Sequence, residues 1–462
     1  MEYLSFIDLI IAPLFLVFFF FIAHNIRSKN IERDPSYRFF IWGLFAKLFG
    51  GIAICLVYSF YYGGGDTTNY YLDSVCVSKL FLKNPHEGLR YTFNSFDTEM
   101  WCSFDTSTGW PIYTFDEKTT NVVRLTWILS LFAFNSFIGQ TMLLGFFSYF
   151  FIFRLFKMFC FEFPELENKF ALSVLFIPSV IFWGSGLLKD SICFACVAAF
   201  TSSFHHLLKI RKKIFQHIVI PILSSWLLIL IKPYIFFALL PGTILWLVGY
   251  RLSKLSNVLV KSTIAPMLII LSVFMGYIML RLMGESLGEF SVDRVMDKAV
   301  VTQRDLKQDY YQGASFDIGE FEATVPGILS KAPAAINASL FRPYLWEAYN
   351  PGMLISAVEN FILLLISIYL ILKMRVYNLF LLMFRHHVLF FSVFFSLFFS
   401  FSVGLTTSNF GALVRYKIPA IPFFVASLFI IQYTFAILQR DKEAKYLEFT
   451  KPVDRSSDPQ PA

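Results

Sequence analysis

The chain has 462 residues, of which 56% are hydrophobic and 15% charged, with a net charge of +7. A soluble domain carries about 25% charged residues, whereas apolar runs of roughly 16 to 23 residues recur here and one helical crossing of a bilayer takes about 20. A single water-soluble core is excluded. The Lys and Arg residues fall in short clusters beside the apolar runs, the pattern of membrane topology, which sets nucleic-acid binding aside.

In chain order the apolar runs predict an all-α polytopic membrane protein of about 11 transmembrane helices. They lie near 4–24, 39–61, 137–159, 170–187, 191–208, 216–231, 235–250, 263–283, 353–373, 387–405 and 418–438. The first run has no basic flank and no small-residue cleavage site, so it reads as a retained span rather than a signal peptide. The short runs 216–231 and 235–250, joined through "KPY", read either as two crossings or as a tilted or re-entrant pair. Basic clusters at Arg27 to Arg38, in "KIRKK" (209–213), at Arg251 to Lys261, at Lys373 to Arg385 and in "QRDKEAK" after 438 all fall on one side if the N-terminus is outside. The positive-inside rule makes that side, and the C-terminus, cytoplasmic. Residues 1–438 then form one transmembrane domain, and 439–462 a cytoplasmic tail, partly disordered.

Two long extracytoplasmic loops follow, 62–136 and 284–352. Both are rich in Tyr, Trp, Phe and charge, which predicts folded caps at the membrane surface. Within the first, 119–134 is expected to form an interfacial or partly inserted helix. Of six Cys, Cys76 and Cys102 share this loop and could pair. Cys193 and Cys196 lie inside an apolar run with no further ligand at metal spacing, and read as small helix residues. His205-His206 beside the basic cluster reads as an interface feature without chemistry.

The charges at the expected outer helix ends carry the functional argument. "YYGGGDTTNYY" places Asp66 just beyond the second span, with Asp73 seven residues on. "FWGSGLLKD" places Lys189 and Asp190 at a hairpin tip whose glycines allow a tight turn. "IKPY" supplies Lys232, "LFRPYLWEAYNPG" supplies Arg342 and Glu347, and "VRYKIP" supplies Arg415, Tyr416 and Lys417. Glu359 lies about two turns inside the ninth span, where an ionisable group is costly. Cations kept on the outer side run against the positive-inside trend, and converging cations in a half-buried space suit a phosphate or pyrophosphate. Asp66 could take a proton from an attacking hydroxyl or hold a divalent metal. Asp190 and Glu347 compete for that role, and Asp190 could instead pair with Lys189 or Lys232. The geometric expectation is that Asp66, Lys189, Lys232, Arg342 and Arg415 line one outward-facing cavity, each charged end within about 10 Å of a neighbour.

An acidic residue in the first external loop, the "PSVIFWGSGLLKD" hairpin (178–190) and "RYKIPAIP" (415–422) entering the last helix together resemble polytopic bacterial envelope glycosyltransferases. These are the GT-C fold enzymes that use polyprenyl-phosphate-linked sugars, with the related O-antigen polymerase-like proteins. The resemblance implies Asp66 as the catalytic residue of the acidic loop and Arg415 and Tyr416 beside the lipid phosphate. It implies a polyprenyl-phosphate-linked sugar as donor, a glycan or protein as acceptor, and a multi-pass place in the cell inner (plasma) membrane. The polymerase-like alternative leans on external arginines rather than a carboxylate. A transporter or flippase of lipid-linked glycan, and a non-catalytic scaffold subunit, are the competing readings.

Overall fold

The computed structural model describes residues 3–114, 116–254, 316–319, 325–348, 351–374, 376–383 and 385–450. It is 82% helical, and no β-strand occurs among the described residues. The helices in chain order are α1 (Phe6–Asn30), α2 (Phe40–Phe60), α3 (Asp66–Lys83), α4 (Pro85–Phe93), α5 (Thr98–Cys102), α6 (Glu117–Phe132), α7 (Phe137–Glu162), α8 (Glu167–Phe170), α9 (Pro178–Trp183), α10 (Lys189–Lys209), α11 (Ile214–Ile231) and α12 (Pro233–Ser253). They continue with α13 (Val325–Ser330), α14 (Ala332–Phe341), α15 (Pro351–Met374), α16 (Val376–Met383), α17 (His387–Thr406), α18 (Phe410–Tyr416) and α19 (Ile421–Thr450). Among the described residues nine of these are long and apolar enough to cross a membrane: α1, α2, α7, α10, α11, α12, α15, α17 and α19. The chain is an all-α, multi-pass membrane-type protein. The expected span 263–283 lies outside the described residues.

Helix α10 is the centre of the bundle. It is rich in Ala, Ser and Cys, including Cys193 and Cys196, and is buried almost throughout. Small side chains let neighbouring helices approach closely without a hydrophobic driving force between them. By contrast α1 and α11 expose large apolar residues such as Phe18, Phe21, Ile222 and Trp226, as lipid-facing helices do.

The run read as a fourth crossing, 170–187, is not one helix. A π-helical turn at Ala171–Leu175 follows α8, and the chain then extends at Ile177 before α9. Pro178 explains the break: it lacks an N–H for the preceding turn and pushes Ile177 to extended geometry. The segment still traverses the bundle. Glu162 at the end of α7 meets His205 and Lys209 at one end of α10, while Lys189 at the other end meets Asp116. Helices α11 and α12, of 18 and 21 residues, rise about 27 and 32 Å and run the same depth. His217 near the start of α11 meets Arg154, the Lys232 turn sits beside Asp190, and the Tyr250 hydroxyl returns to the Leu208 carbonyl at 2.8 Å. Both are long and apolar enough to cross a membrane, and both run from one end of the bundle to the other.

The 62–136 loop is a folded helical cap. Helix α6 packs on α3 through the Ser74–Thr126 hydroxyl pair at 3.0 Å, and Tyr71 and Ser78 fasten both to the Asn135 turn. All described cysteines are free, so Cys76 and Cys102 do not pair. The expected tail begins in regular structure, because α19 continues to Thr450; residues 451–462 lie outside the described residues.

Gly50 fixes the contact between α2 and α9. A Cβ there would stand 2.1 Å from the Ile181 carbonyl oxygen, whereas one at Gly145 would meet only Leu48 Cδ2 at 3.6 Å. Thermal unfolding in detergent is expected to show Gly50→Ala destabilised by about 1–3 kcal/mol. Gly145→Ala should be neutral or up to about 1 kcal/mol more stable, since Gly weakens a helix interior. Equal effects would contradict the packing described.

Candidate functional site

At the Asp66 end of the bundle, five stretches remote in sequence meet. The three glycines 63–65 all take positive φ and carry the chain from α2 into α3, a path that few other residues allow. This sets Asp66 in the first turn of α3. From the other end of the chain, Arg415 in α18 donates through Nη2 to Asp66 Oδ2 at 2.7 Å. Its Nε lies 3.5 Å from Asp190 Oδ2, and Lys232 Nζ donates to Asp190 Oδ1 at 2.5 Å. The Lys232 ammonium also stands 4.2 Å over the Tyr416 ring, and the Arg415 guanidinium 5.8 Å over Trp183.

Lys189 donates to Thr119 Oγ1 at 2.7 Å and lies 3.5 Å from Asp116 Oδ2, so the hairpin tip is tied to the start of α6. Burial is graded across the cluster. Asp190 and Lys232 are 1% and 9% exposed, whereas the Asp66 carboxylate is 46% exposed. Burial raises the proton affinity of Asp66, but the Arg415 guanidinium and the Tyr113 hydroxyl, which donates to Oδ1 at 3.3 Å, outweigh it and hold the carboxyl below its usual range.

Of the residues singled out in the sequence, Asp66, Lys189, Asp190, Lys232, Arg415 and Tyr416 are brought together. Arg342 and Glu347 form their own pair: Arg342 Nε donates to both Glu347 oxygens at 3.0 and 3.1 Å, with its guanidinium over Phe316 and Phe410. Lys417 is buried and donates to Asn360 Oδ1 at 2.7 Å, and Asn360 in turn holds the Arg342 carbonyl. Glu359 accepts from the Ser179 amide at 3.0 Å and its hydroxyl at 2.6 Å, capping α9. Asp73 is fully buried and accepts from the Ile112 and Tyr113 amides, at 2.6 and 2.9 Å. It is a structural anchor that brings Tyr113 to Asp66, so the two loop carboxylates divide their roles.

Sequence reasoning did not single out Asp116, Tyr113, Trp183 or Lys47. Asp116 is the N-cap of α6, a pattern visible in "DEKTT". Lys47 lies inside the second apolar run, where its buried ammonium donates to the Gly184 carbonyl and braces the hairpin.

Three cations, Lys189, Lys232 and Arg415, face three carboxylates, Asp66, Asp116 and Asp190, so the cluster has no net charge. The Arg415 guanidinium stands between Asp66 and Asp190, where a metal shared by the two would sit. Among the described residues no three His, Cys, Asp or Glu group to hold a metal. The site is therefore a closed ion-pair network in which any incoming phosphate must compete with carboxylates for the same donors.

No family model matches this chain, and neither the curated proteins nor the solved structures show a significant match.

Two outcomes are expected from this geometry. Asp190→Asn leaves Lys232 buried beside a neutral partner and should cost about 3–5 kcal/mol in detergent unfolding, whereas Asp190→Leu with Lys232→Met should recover most of it. A single variant as stable as the parent would contradict the pairing. Burial pushes the Asp73 carboxyl up to about 6, with the two amide donors opposing. The folded state then keeps a proton that the unfolded chain releases near pH 3.9. Its contribution to stability is complete below that value and lost as pH rises through about 6. Hydrogen exchange of the 62–136 cap, measured as opening free energy, should show this slope in the parent and not in Asp73→Asn.

Proposed function

We propose that the chain is an integral membrane glycosyltransferase or glycan polymerase acting at the outer face of the plasma membrane, in envelope polysaccharide or glycoconjugate synthesis. Its donor would be a sugar on a polyprenyl-phosphate carrier, and its acceptor a glycan or protein hydroxyl. The observation that supports this most is the meeting of Asp66 with Arg415, 349 positions apart, at a helix end with Lys189 and Lys232 close by.

The chemistry asks little beyond these groups. A donor phosphate displaces Asp66 from Arg415 and takes the guanidinium and the Lys189 ammonium as its own partners. Freed from Arg415, Asp66 loses the charge that depresses its proton affinity and becomes a better base. It accepts the proton of the acceptor hydroxyl as the new C–O bond forms and the anomeric C–O bond to phosphate breaks. The leaving electron pair goes to the phosphate, held by the cations.

Transport of a lipid-linked glycan is the second reading, favoured by the broken crossing through α8 and α9, whose second half is capped by Glu359. Discontinuous helices with an ionisable partner are a feature of transporters. Purified protein given a polyprenyl-phosphate-linked sugar separates the two. Transfer to acceptor is expected, and Asp66→Asn should lower turnover by about 10²–10⁴-fold with only a small change in Tm. Parent turnover in that variant contradicts the proposal, and movement of intact donor across vesicles without transfer favours transport.

A further inference from the structure

A second site lies at the opposite end of the bundle. A cavity of about 840 Å³ opens where α7, α10 and α11 meet, and its charged lining includes Arg154, Lys157, Lys212, Lys213, Asp34 and Glu167. That volume is within the range of small-molecule sites, about 300–1,000 Å³. Both lining carboxylates are already engaged: Asp34 with Lys157 at 2.8 Å, and Glu167 with Arg38 at 3.2 Å. Arg154, Lys212 and Lys213 have no carboxylate partner among the described residues.

Arg154 is the most deeply set cation of this lining. It stands two turns inside the end of α7, half-buried, and donates through Nη2 to the Ser203 hydroxyl at 3.3 Å and to His217 Nδ1 at 3.1 Å. His217 in turn stacks on His206, with ring centroids 3.7 Å apart. The Nε and Nη1 groups of Arg154, three of the five N–H of a guanidinium, donate to no described residue. An ionised side chain set this far into an apolar bundle, oriented by neutral groups and with no counter-charge among the described residues, is costly to keep.

A separate feature points the same way. Helix α11 has 18 residues and begins beside the cavity at Lys213, which takes a left-handed conformation and gives no side-chain cap. Its positive dipole end thus lies at the same lining as the three cations, which includes Gln216 and His217 of its first turn. Three unneutralised cations and an uncapped helix start match two or more negative charges better than a single carboxylate.

We infer that this cavity binds a phosphate- or diphosphate-bearing ligand, with Arg154 as the fork and Lys212 and Lys213 closing over it. The site is independent of the Asp66–Arg415 cluster and of the activity proposed for it. The ligand is either a soluble phosphate compound or a lipid headgroup, and the volume leaves room for a substituent on the phosphate.

The test uses the full chain in phosphatidylcholine nanodiscs, titrated calorimetrically with inorganic pyrophosphate. A second arm counts phosphatidic acid retained on the protein by native mass spectrometry, from discs that contain it. Saturable pyrophosphate binding weakened at least tenfold in Arg154→Gln assigns a soluble ligand. Retained phosphatidic acid, lost in the same variant, assigns a lipid headgroup. Lys212→Ser with Lys213→Ser changes only exposed side chains and should weaken binding in whichever arm responds, so the test survives poor folding of the Arg154 variant. Binding in neither arm by folded parent protein, or binding indifferent to both variants, overturns the inference.

Discussion

A buried ammonium with a buried carboxylate on it, Lys232 on Asp190, is the contact on which the rest of this end of the molecule depends. Neither group tolerates isolation in an apolar bundle, so each holds the other and the segments that carry them. Asp190 lies in the first turn of the central helix, and Lys232 makes the turn between two long apolar helices. Arg415 reaches the same carboxylate from the entry to the last helix and passes the connection on to Asp66 in the cap. Four segments are thereby fixed to one point, and the exposed Asp66 is held by residues that cannot easily move.

The two ends of the bundle differ in how their charge is balanced. At the Asp66 end every cation of the cluster has a carboxylate partner, and the network is neutral. At the Glu162 end Asp34, Glu167 and Glu162 are engaged with Lys157, Arg38, His205 and Lys209, and Arg154 faces a cavity with no carboxylate partner among the described residues. The first arrangement suits a site where a ligand exchanges partners with a carboxylate and so changes that group's proton affinity. The second suits simple capture of an anion. The broken segment through α8 and α9 lies between them and is braced by Glu359 and Lys47.

Much of the fold was legible because apolar length and flanking charge are local properties. The nine long helices among the described residues fall on nine of the expected runs. The break before α9 was written in "IPS", but a hydropathy run averages over a single proline. The KPY turn was ambiguous because length alone does not separate a short crossing from a re-entrant pair; the partners of Lys232 and Tyr250 do. At the site, topology was enough to place Asp66, Lys189, Asp190, Lys232 and Arg415 at one level. Lys232 was one of two cations open to Asp190, and the structure forms that pair; topology could not show that Arg415 would reach both Asp66 and Asp190, nor that Arg342 would turn to Glu347 five residues away. The cavity at the other end was not legible. His205-His206 and the basic run were visible, but Arg154 lies far away in sequence and meets His217 only through packing.

Partner exchange at Asp66 is tested by a structure of the protein in a lipid disc with a polyprenyl-phosphate-linked sugar bound. Donor phosphate is expected within hydrogen-bond distance of Arg415 and Lys189, with Asp66 released from the guanidinium and the Lys232–Asp190 pair unchanged beneath. An intact Asp66–Arg415 pair with the donor bound elsewhere would contradict it.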